Sequence, residues 1–170
     1  GTTQGLPHLK SGGTMLNSIV KRILDTPAPE AEAHCDGPCG VYDPADARIK
    51  AEAVLSMTKK ILALTPPDTS DTVAMAAYLN SLTRYVNIKE EQAHRCKEEL
   101  LVLWTDFFKP QHLEATPELH DVFWKATKLC SSCKVEVNLE HAEGLMAAVK
   151  NIHEIFWKAK GRDVAWYTAS

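Results

Sequence analysis

The sequence predicts an all-α protein, an antiparallel four-helix bundle. Three observations predict it. Beyond residue 43, apolar residues recur at three- and four-residue spacing through most of the chain. No stretch alternates apolar and polar residues as a half-buried strand does. The breaks between periodic segments are short and marked by proline or polar capping residues, which suits antiparallel neighbours. Length and composition agree: 170 residues make about one domain, and 45% hydrophobic content is enough for one core. No apolar run approaches the roughly 20 residues that span a bilayer. The net charge of -3 gives no general attraction to nucleic acid or to an anionic membrane, so neither is an expected partner.

Residues 1–33 read as a leader. Positions 1–13 hold four glycines without apolar periodicity, and Met15 is a candidate start. Met15, Leu16, Ile19, Val20, Ile23 and Leu24 then fall on one helical stripe. Thr26-Pro27-Ala28-Pro29 stops that helix, and Glu30-Ala31-Glu32-Ala33 ends in small residues that processing proteases accept. Asn17, Ser18, Lys21 and Arg22 make the stretch too polar for a secretory signal, so a cytoplasmic protein is expected, or an organellar one in a eukaryotic source.

The first bundle helix starts at Asp43-Pro44, a capping residue followed by a first-turn proline. Ile49, Ala53, Val54, Met57, Ile61 and Leu64 form its apolar stripe, and Pro66-Pro67 ends it. Asp68 or Ser70 caps the second helix, whose stripe runs Val73, Met75, Leu79, Leu82 and Val86. The pattern continues through the polar residues 89–97 to Leu100, Leu101, Leu103, Trp104, Phe107 and Phe108. A helix that long is unusual, so a break between positions 94 and 100 is expected, with Pro110 closing the segment. The third helix begins near Thr116-Pro117 and turns Leu119, Val122, Phe123, Ala126 and Leu129 inward. Residues 131–138 read as a loop. The last helix covers 139–159, with Leu145, Val149, Ile152 and Phe156 inward and Gly161 as its C-terminal cap.

The chemistry lies in His34-Cys35-Asp36-Gly37-Pro38-Cys39-Gly40-Val41-Tyr42. The five cysteines, Cys35, Cys39, Cys96, Cys130 and Cys133, are odd in number and do not suit a disulfide scaffold. Gly37, Pro38 and Gly40 favour a tight turn that folds Cys35 and Cys39 back onto one metal ion. Thiolates suit soft or borderline metals such as Zn, Cu(I), Ni and Fe. Structural zinc takes four side-chain ligands and this segment supplies three, so a zinc site would have to join Cys35 and Cys39 with Cys130 and Cys133. Cleavage after Ala33 would turn His34 into the N-terminus. The free amine, the deprotonated Cys35 amide and two thiolates then make a planar N2S2 set, which favours Ni(II) or Cu(II), with the His34 imidazole available as an axial ligand.

These residues resemble the N-terminal nickel hook of the nickel-containing superoxide dismutase family. Leu103-Trp104-Thr105-Asp106-Phe107-Phe108-Lys109-Pro110 is similar to that family's W-[ST]-D-[YF]-F-K-P block. Arg84 with Ile88-Lys89-Glu90, and Ile155-Phe156-Trp157, also fit, so the resemblance covers about residues 34–160. It implies a proprotein cut by a processing protease immediately before His34, and a homo-hexamer of four-helix bundles. It implies one nickel ion per chain, held by His34, Cys35 and Cys39 and cycling between Ni(II) and Ni(III) as superoxide becomes O2 and H2O2. Tyr42 would close the substrate channel and hold water for proton delivery. The domain organisation that follows is leader 1–33, hook 34–42, bundle 43–160 and tail 161–170.

Two departures stand out. The family places an acidic residue in the first helix and an arginine in the second to orient the axial imidazole; Lys50 and Gln92 stand there. A second tyrosine near the hook is Phe107, which leaves Tyr42 as the phenol.

Other features read more plainly. Cys130-Ser131-Ser132-Cys133 has no βαβ context for a redox pair, and two small buried thiols are its commoner meaning. His94, His112, His120, His141 and His153 are scattered over helical faces and are not expected ligands. Residues 89–99 read as a solvated face or a subunit contact. A zinc-holding structural protein and a metal-free interaction bundle are the non-enzyme alternatives.

Overall fold

The computed structural model describes residues 40–170. The leader helix and the hook residues His34, Cys35 and Cys39 lie outside the described residues. The described chain folds as helices α1 (Ala45–Leu62), α2 (Thr72–Val102), α3 (Pro110–Ala115), α4 (Leu119–Val135) and α5 (Leu139–Ala159), with a π-helical turn at Leu103–Phe107 between α2 and α3. The four long helices form a ring, in which α1 and α4 each pack against both α2 and α5. Tyr42 meets Phe107 and Ala47 meets Cys96, while Trp104 meets His120 and Lys97 meets Ser131. Sequence number rises on one side as it falls on the other, so α2 runs antiparallel to α1 and to α4.

The caps explain the boundaries. Asp43 Oδ1 accepts from the Ala45 amide at 2.8 Å and opens α1 as expected. The helix stops at Leu62, ahead of Pro66-Pro67. Asp71, not Asp68 or Ser70, caps α2, accepting from the Ala74 amide at 2.9 Å. Asp68 folds back on Ser70 instead, and the Ser70 amide and hydroxyl hold its carboxyl below the usual range. Asn138 caps α5 through the His141 amide at 3.1 Å. Gly161, at φ +66°, turns the chain out of α5 in the left-handed conformation that a Cβ disfavours.

The expected break at 94–100 is absent, and α2 runs 31 residues without interruption. Residues 89–99 stay helical because Ala93 and Cys96 face the core while Arg95–Glu91 and His94–Glu98 pair along the outer face. The irregularity comes later. The Phe108 amide bonds to the Leu103 carbonyl at 3.2 Å, and the wide turn lets Leu103, Trp104, Phe107 and Phe108 all reach the core. Pro110 cannot extend that helix, and it opens α3 at its first position rather than closing the segment.

Two further expectations are corrected. Residues 131–135 belong to α4, so Cys130 and Cys133 sit a turn apart on a helix and not at a loop. The buried face of α1 is Ala47, Ala51, Val54 and Thr58, whereas Ile49 is 53% exposed. Small residues on that face let α1 approach α2 closely, and this rotates the larger Ile49 outward. On α5, Leu145, Val149, Ile152 and Phe156 are buried as predicted. At about 1.5 Å per residue, α2 outreaches its partners. Its first fully buried residue is Lys89, and Val73 and Leu79 remain 79% and 50% exposed.

Candidate metal centre

The chain enters the bundle from the hook through Gly40, Val41 and Tyr42. Gly40 has φ +62°, a value that needs a glycine. Tyr42 is half-buried and rests on Phe107, ring centroids 5.8 Å apart. Phe107 lies 4.3 Å from Phe156 of α5, 4.8 Å edge-on from Phe108, and stacks on His112 at 5.6 Å. Phe108 in turn meets Phe123 of α4 at 5.4 Å. The π-helical turn thus supplies an aromatic base on which the last hook residue sits. Each such ring pair contributes on the order of 1 kcal/mol beyond its buried area.

Behind this base, α1 and α2 share a charged contact. Lys50 pairs with Asp46 and approaches Glu99 at 3.7 Å. Burial pushes the Glu99 carboxyl up, the Asp46 charge adds to that, and Lys50 opposes it. The resemblance leads one to expect an acid on the first helix and a cation on the second. The chain carries the reverse, a cation at Lys50 and a carboxylate at Glu99, with Gln92 neutral and half-buried. Glu99 was not singled out from the sequence.

The other cysteines do not form a centre. Cys96, Cys130 and Cys133 are all buried between helices. The Cys96 thiol donates to the Ala47 carbonyl at 3.4 Å. The adjacent Cys130 thiol and burial together push it far above the usual range. Cys133 is pushed up to about 11, by burial first, then by Cys130, with Lys89 pulling back. Protonated thiols are poor metal ligands. Among the described residues no group of three histidine, cysteine or acidic side chains is placed to hold a metal. A zinc site through Cys130 and Cys133 is therefore not favoured. The histidines are engaged separately: His94 with Glu98, His120 with Trp104, His112 with the Lys109 amide, His141 with Glu136, and His153 with the Val164 carbonyl at 2.7 Å.

Lys89 overturns the reading of residues 89–99 as wholly solvated. It is buried, and its ammonium donates to the Cys133 carbonyl and, at 3.0 Å, to that of Lys134. It thereby caps the C-terminal end of α4 from inside the bundle. The tail is also ordered by specific contacts. Arg48 lies 4.3 Å from the Tyr167 ring centroid, and the Glu52 carboxylate accepts from the Ser170 amide and hydroxyl, each at 2.7 Å, and from the Ala169 amide at 3.0 Å.

An all-α bundle preceded in sequence by a histidine and two cysteines defines a class: helical proteins with a candidate metal-binding segment ahead of the first helix. Comparison with known proteins specifies it. The family model for nickel-containing superoxide dismutase matches residues 29–160. A superoxide dismutase [Ni] of Streptomyces seoulensis is 42% identical over 115 residues, 68% of this chain and 79% of that protein. One of Streptomyces coelicolor is 40% identical over 111 residues, 65% of this chain and 76% of that protein. A crystal structure of Ni-containing superoxide dismutase in its oxidized state superposes with a TM-score of 0.65 at 39% identity, covering 75% of this chain and 99% of the other. The chain belongs to the nickel-containing superoxide dismutase family. The family match ends at residue 160, so the anchored tail lies beyond it.

Proposed function

We infer that the chain converts superoxide to O2 and H2O2 at one nickel ion per chain, held by His34, Cys35 and Cys39. The observation that carries this reading is the donor set itself, His34-Cys35 and Cys39 shortly before Tyr42, in a chain of this family. The donor chemistry fits the metal: two thiolates with nitrogen donors suit nickel, and anionic sulfur would stabilise its higher oxidation state. When bound, nickel supplies a one-electron Ni(II)/Ni(III) couple that takes an electron from one superoxide and gives it to the next.

The protein residues then have distinct tasks. Cys35 and Cys39 would hold the metal as thiolates, and Gly37, Pro38 and Gly40 are residue types that favour the tight turn such a pair needs. His34 offers its imidazole and, once residues 1–33 are removed by a processing protease, its amine. Tyr42, three residues past Cys39, would act as the gate to the metal. Its phenol can hold a water by hydrogen bonding. Its ring, seated on Phe107, narrows access for larger anions.

The organisation is hook 34–42, bundle 43–160 and tail 161–170, assembled as a homo-hexamer in the cytoplasm, with neither nucleic acid nor membrane as partner. The protruding first half of α2, with Val73 and Leu79 uncovered, supports the assembly. Among the described residues no helix is long and apolar enough to cross a membrane. The test is the mass and metal content of the protein purified from its own cells. The reading requires an N-terminus at His34 and one nickel per chain. An intact leader, or zinc in place of nickel, would contradict it.

A further inference from the structure

We propose a further function for the aromatic side chains of this fold: they form a one-electron route that carries oxidising equivalents from Tyr42 out to the tail and so spares the hook. The proposal rests on the dismutase reading, which makes H2O2 at the hook. The rings follow one another without a gap. Tyr42 lies 5.8 Å from Phe107, Phe107 4.3 Å from Phe156, and Phe156 4.9 Å edge-on from Trp157, centroid to centroid. Trp157 meets His153 at 6.2 Å, and His153 meets Trp166 of the tail at 5.4 Å. Tyr167 is the next residue, 61% exposed, with the Arg48 guanidinium 4.3 Å from its ring centroid. Tyr42, Trp157, Trp166 and Tyr167 can each give up one electron. Phe107, Phe156 and His153 bridge them.

Packing explains the middle of this series and not its end. Phe107 and Phe156 belong to the core, but Tyr167 is exposed, and Trp166 and Tyr167 lie beyond the family match. Trp157 carries a second signal. It is 7% exposed, and its indole N–H has no hydrogen-bond partner among the described residues. A buried indole N–H usually finds an acceptor, and an orphaned one calls for a reason. An indole that has lost an electron sheds its N–H proton when an acceptor is at hand. Without an acceptor it keeps the proton, and the electron vacancy passes on. The steps balance. The oxidant is hydroxyl radical, formed with hydroxide when the product H2O2 takes up one electron. Hydroxyl radical takes the hydrogen atom of the Tyr42 phenol, giving water and a phenoxyl. Trp157 gives an electron to the phenoxyl, which takes a proton from water and becomes a phenol again. Trp166 refills Trp157, and Tyr167 refills Trp166 while its phenol releases a proton to solvent. A thiol in solution returns a hydrogen atom to Tyr167 and becomes a thiyl radical. The sum is hydroxyl radical and thiol giving water and thiyl radical.

The experiment exposes the nickel-loaded parent, Trp157→Phe, Trp166→Phe and Trp124→Phe to H2O2 and maps the added oxygen by peptide mass spectrometry. Trp124 is an indole 54% exposed and outside the series of rings. In the parent, Trp166 and Tyr167 should be oxidised several-fold more than Trp124, which radicals in bulk water reach as readily. Trp157→Phe keeps a ring in place but one that does not yield an electron. Oxidation of the tail should fall several-fold, and that of Tyr42, Cys35 and Cys39 should rise, while superoxide turnover before peroxide is added holds. Trp166→Phe, outside the bundle core, should expose the hook in the same way, and it carries the test if Trp157→Phe does not fold. Trp124→Phe should match the parent. A readout independent of nickel is pulse radiolysis of the metal-free chain. Azide radicals oxidise its tryptophans, and the indolyl absorption should decay into phenoxyl absorption at a rate independent of protein concentration. The double variant Trp157→Phe/Trp166→Phe should lose most of that phase, and Trp124→Phe should keep it. An oxidation map unchanged in Trp157→Phe and Trp166→Phe, or a transfer phase unchanged in the double variant, would overturn this proposal and leave the dismutase reading standing. A parent that holds its nickel without dismutating superoxide would overturn that reading, and this proposal with it.

Discussion

The Tyr42 ring sits on Phe107 at 5.8 Å, and Phe107 sits on Phe156 at 4.3 Å. The last residue of the hook is thus tied to the C-terminal helix through one side chain of the π-helical turn. Phe107→Ala removes the middle ring. It should cost about 3 kcal/mol in chemical denaturation and loosen Tyr42, so turnover should fall more than nickel content. Phe107→Tyr keeps the ring and should retain stability within about 1 kcal/mol. Stability unchanged in Phe107→Ala would mean that the aromatic base does not carry the entry segment.

Tyr42→Phe isolates the hydroxyl. The variant should bind nickel and fold as the parent does, with lower turnover at saturating superoxide and weaker exclusion of larger anions. Steady-state rates across pH, with azide as inhibitor, check this. Matching profiles would remove the gate from the account. Loss of nickel would make Tyr42 a structural part of the hook.

Much of the fold is legible in the sequence where local signals and packing agree. The bounds of α5 follow from Asn138, Gly161 and a stripe of large residues, Leu145, Val149, Ile152 and Phe156, that can face only one way. On α1 the local signal misleads, because Ile49 is large but the helix contact selects the small Ala47 and Ala51. The π-helical turn lies at Leu103–Phe107 and not between positions 94 and 100, because wide turns have no residue signature of their own. The hook lies outside the described residues; it stands out in the sequence because its three candidate donors fall within six residues. Glu99 and Lys89 are not legible, since each acts on a neighbour that only the packing of helices brings near.

Lys89 is a second point of leverage on stability. Lys89→Met keeps the volume but leaves the Cys133 and Lys134 carbonyls without their donor. The expected loss is about 1–3 kcal/mol, read from denaturant midpoints, with hydrogen exchange faster at the end of α4. Unchanged protection there would show that the ammonium is not a cap.

The tail contact predicts a pH effect. Burial alone would raise the Glu52 carboxyl. Hydrogen bonds from Ser170 and Ala169 and the Arg48 charge outweigh burial and hold it below its ordinary value. The unfolded chain therefore binds this proton more readily. The stabilisation is present above an ordinary glutamate pKa of about 4.3 and is lost as pH falls through the lower folded value. Denaturation midpoints of the parent should drop across that acid window, and those of Glu52→Gln should drop less. Equal slopes would separate the tail from Glu52.

The two thiols of the hook are predicted to be equivalent in need. Cys35→Ser or Cys39→Ser replaces a soft ligand with a hard one and should abolish activity, while circular dichroism keeps its helical amplitude because the core lies elsewhere. Full activity in either variant would contradict the assignment of that ligand.

The central claim is that nickel binds and works at a chain whose first residue is His34. The direct measurement compares the intact 170-residue chain with one beginning at His34, both exposed to nickel, for bound metal and for superoxide dismutation. The account predicts one nickel per chain and full activity for the shorter protein, and near inactivity for the intact one, where His34 carries an amide instead of an amine. Equal activity in the two, or no activity from the chain that begins at His34, would contradict it.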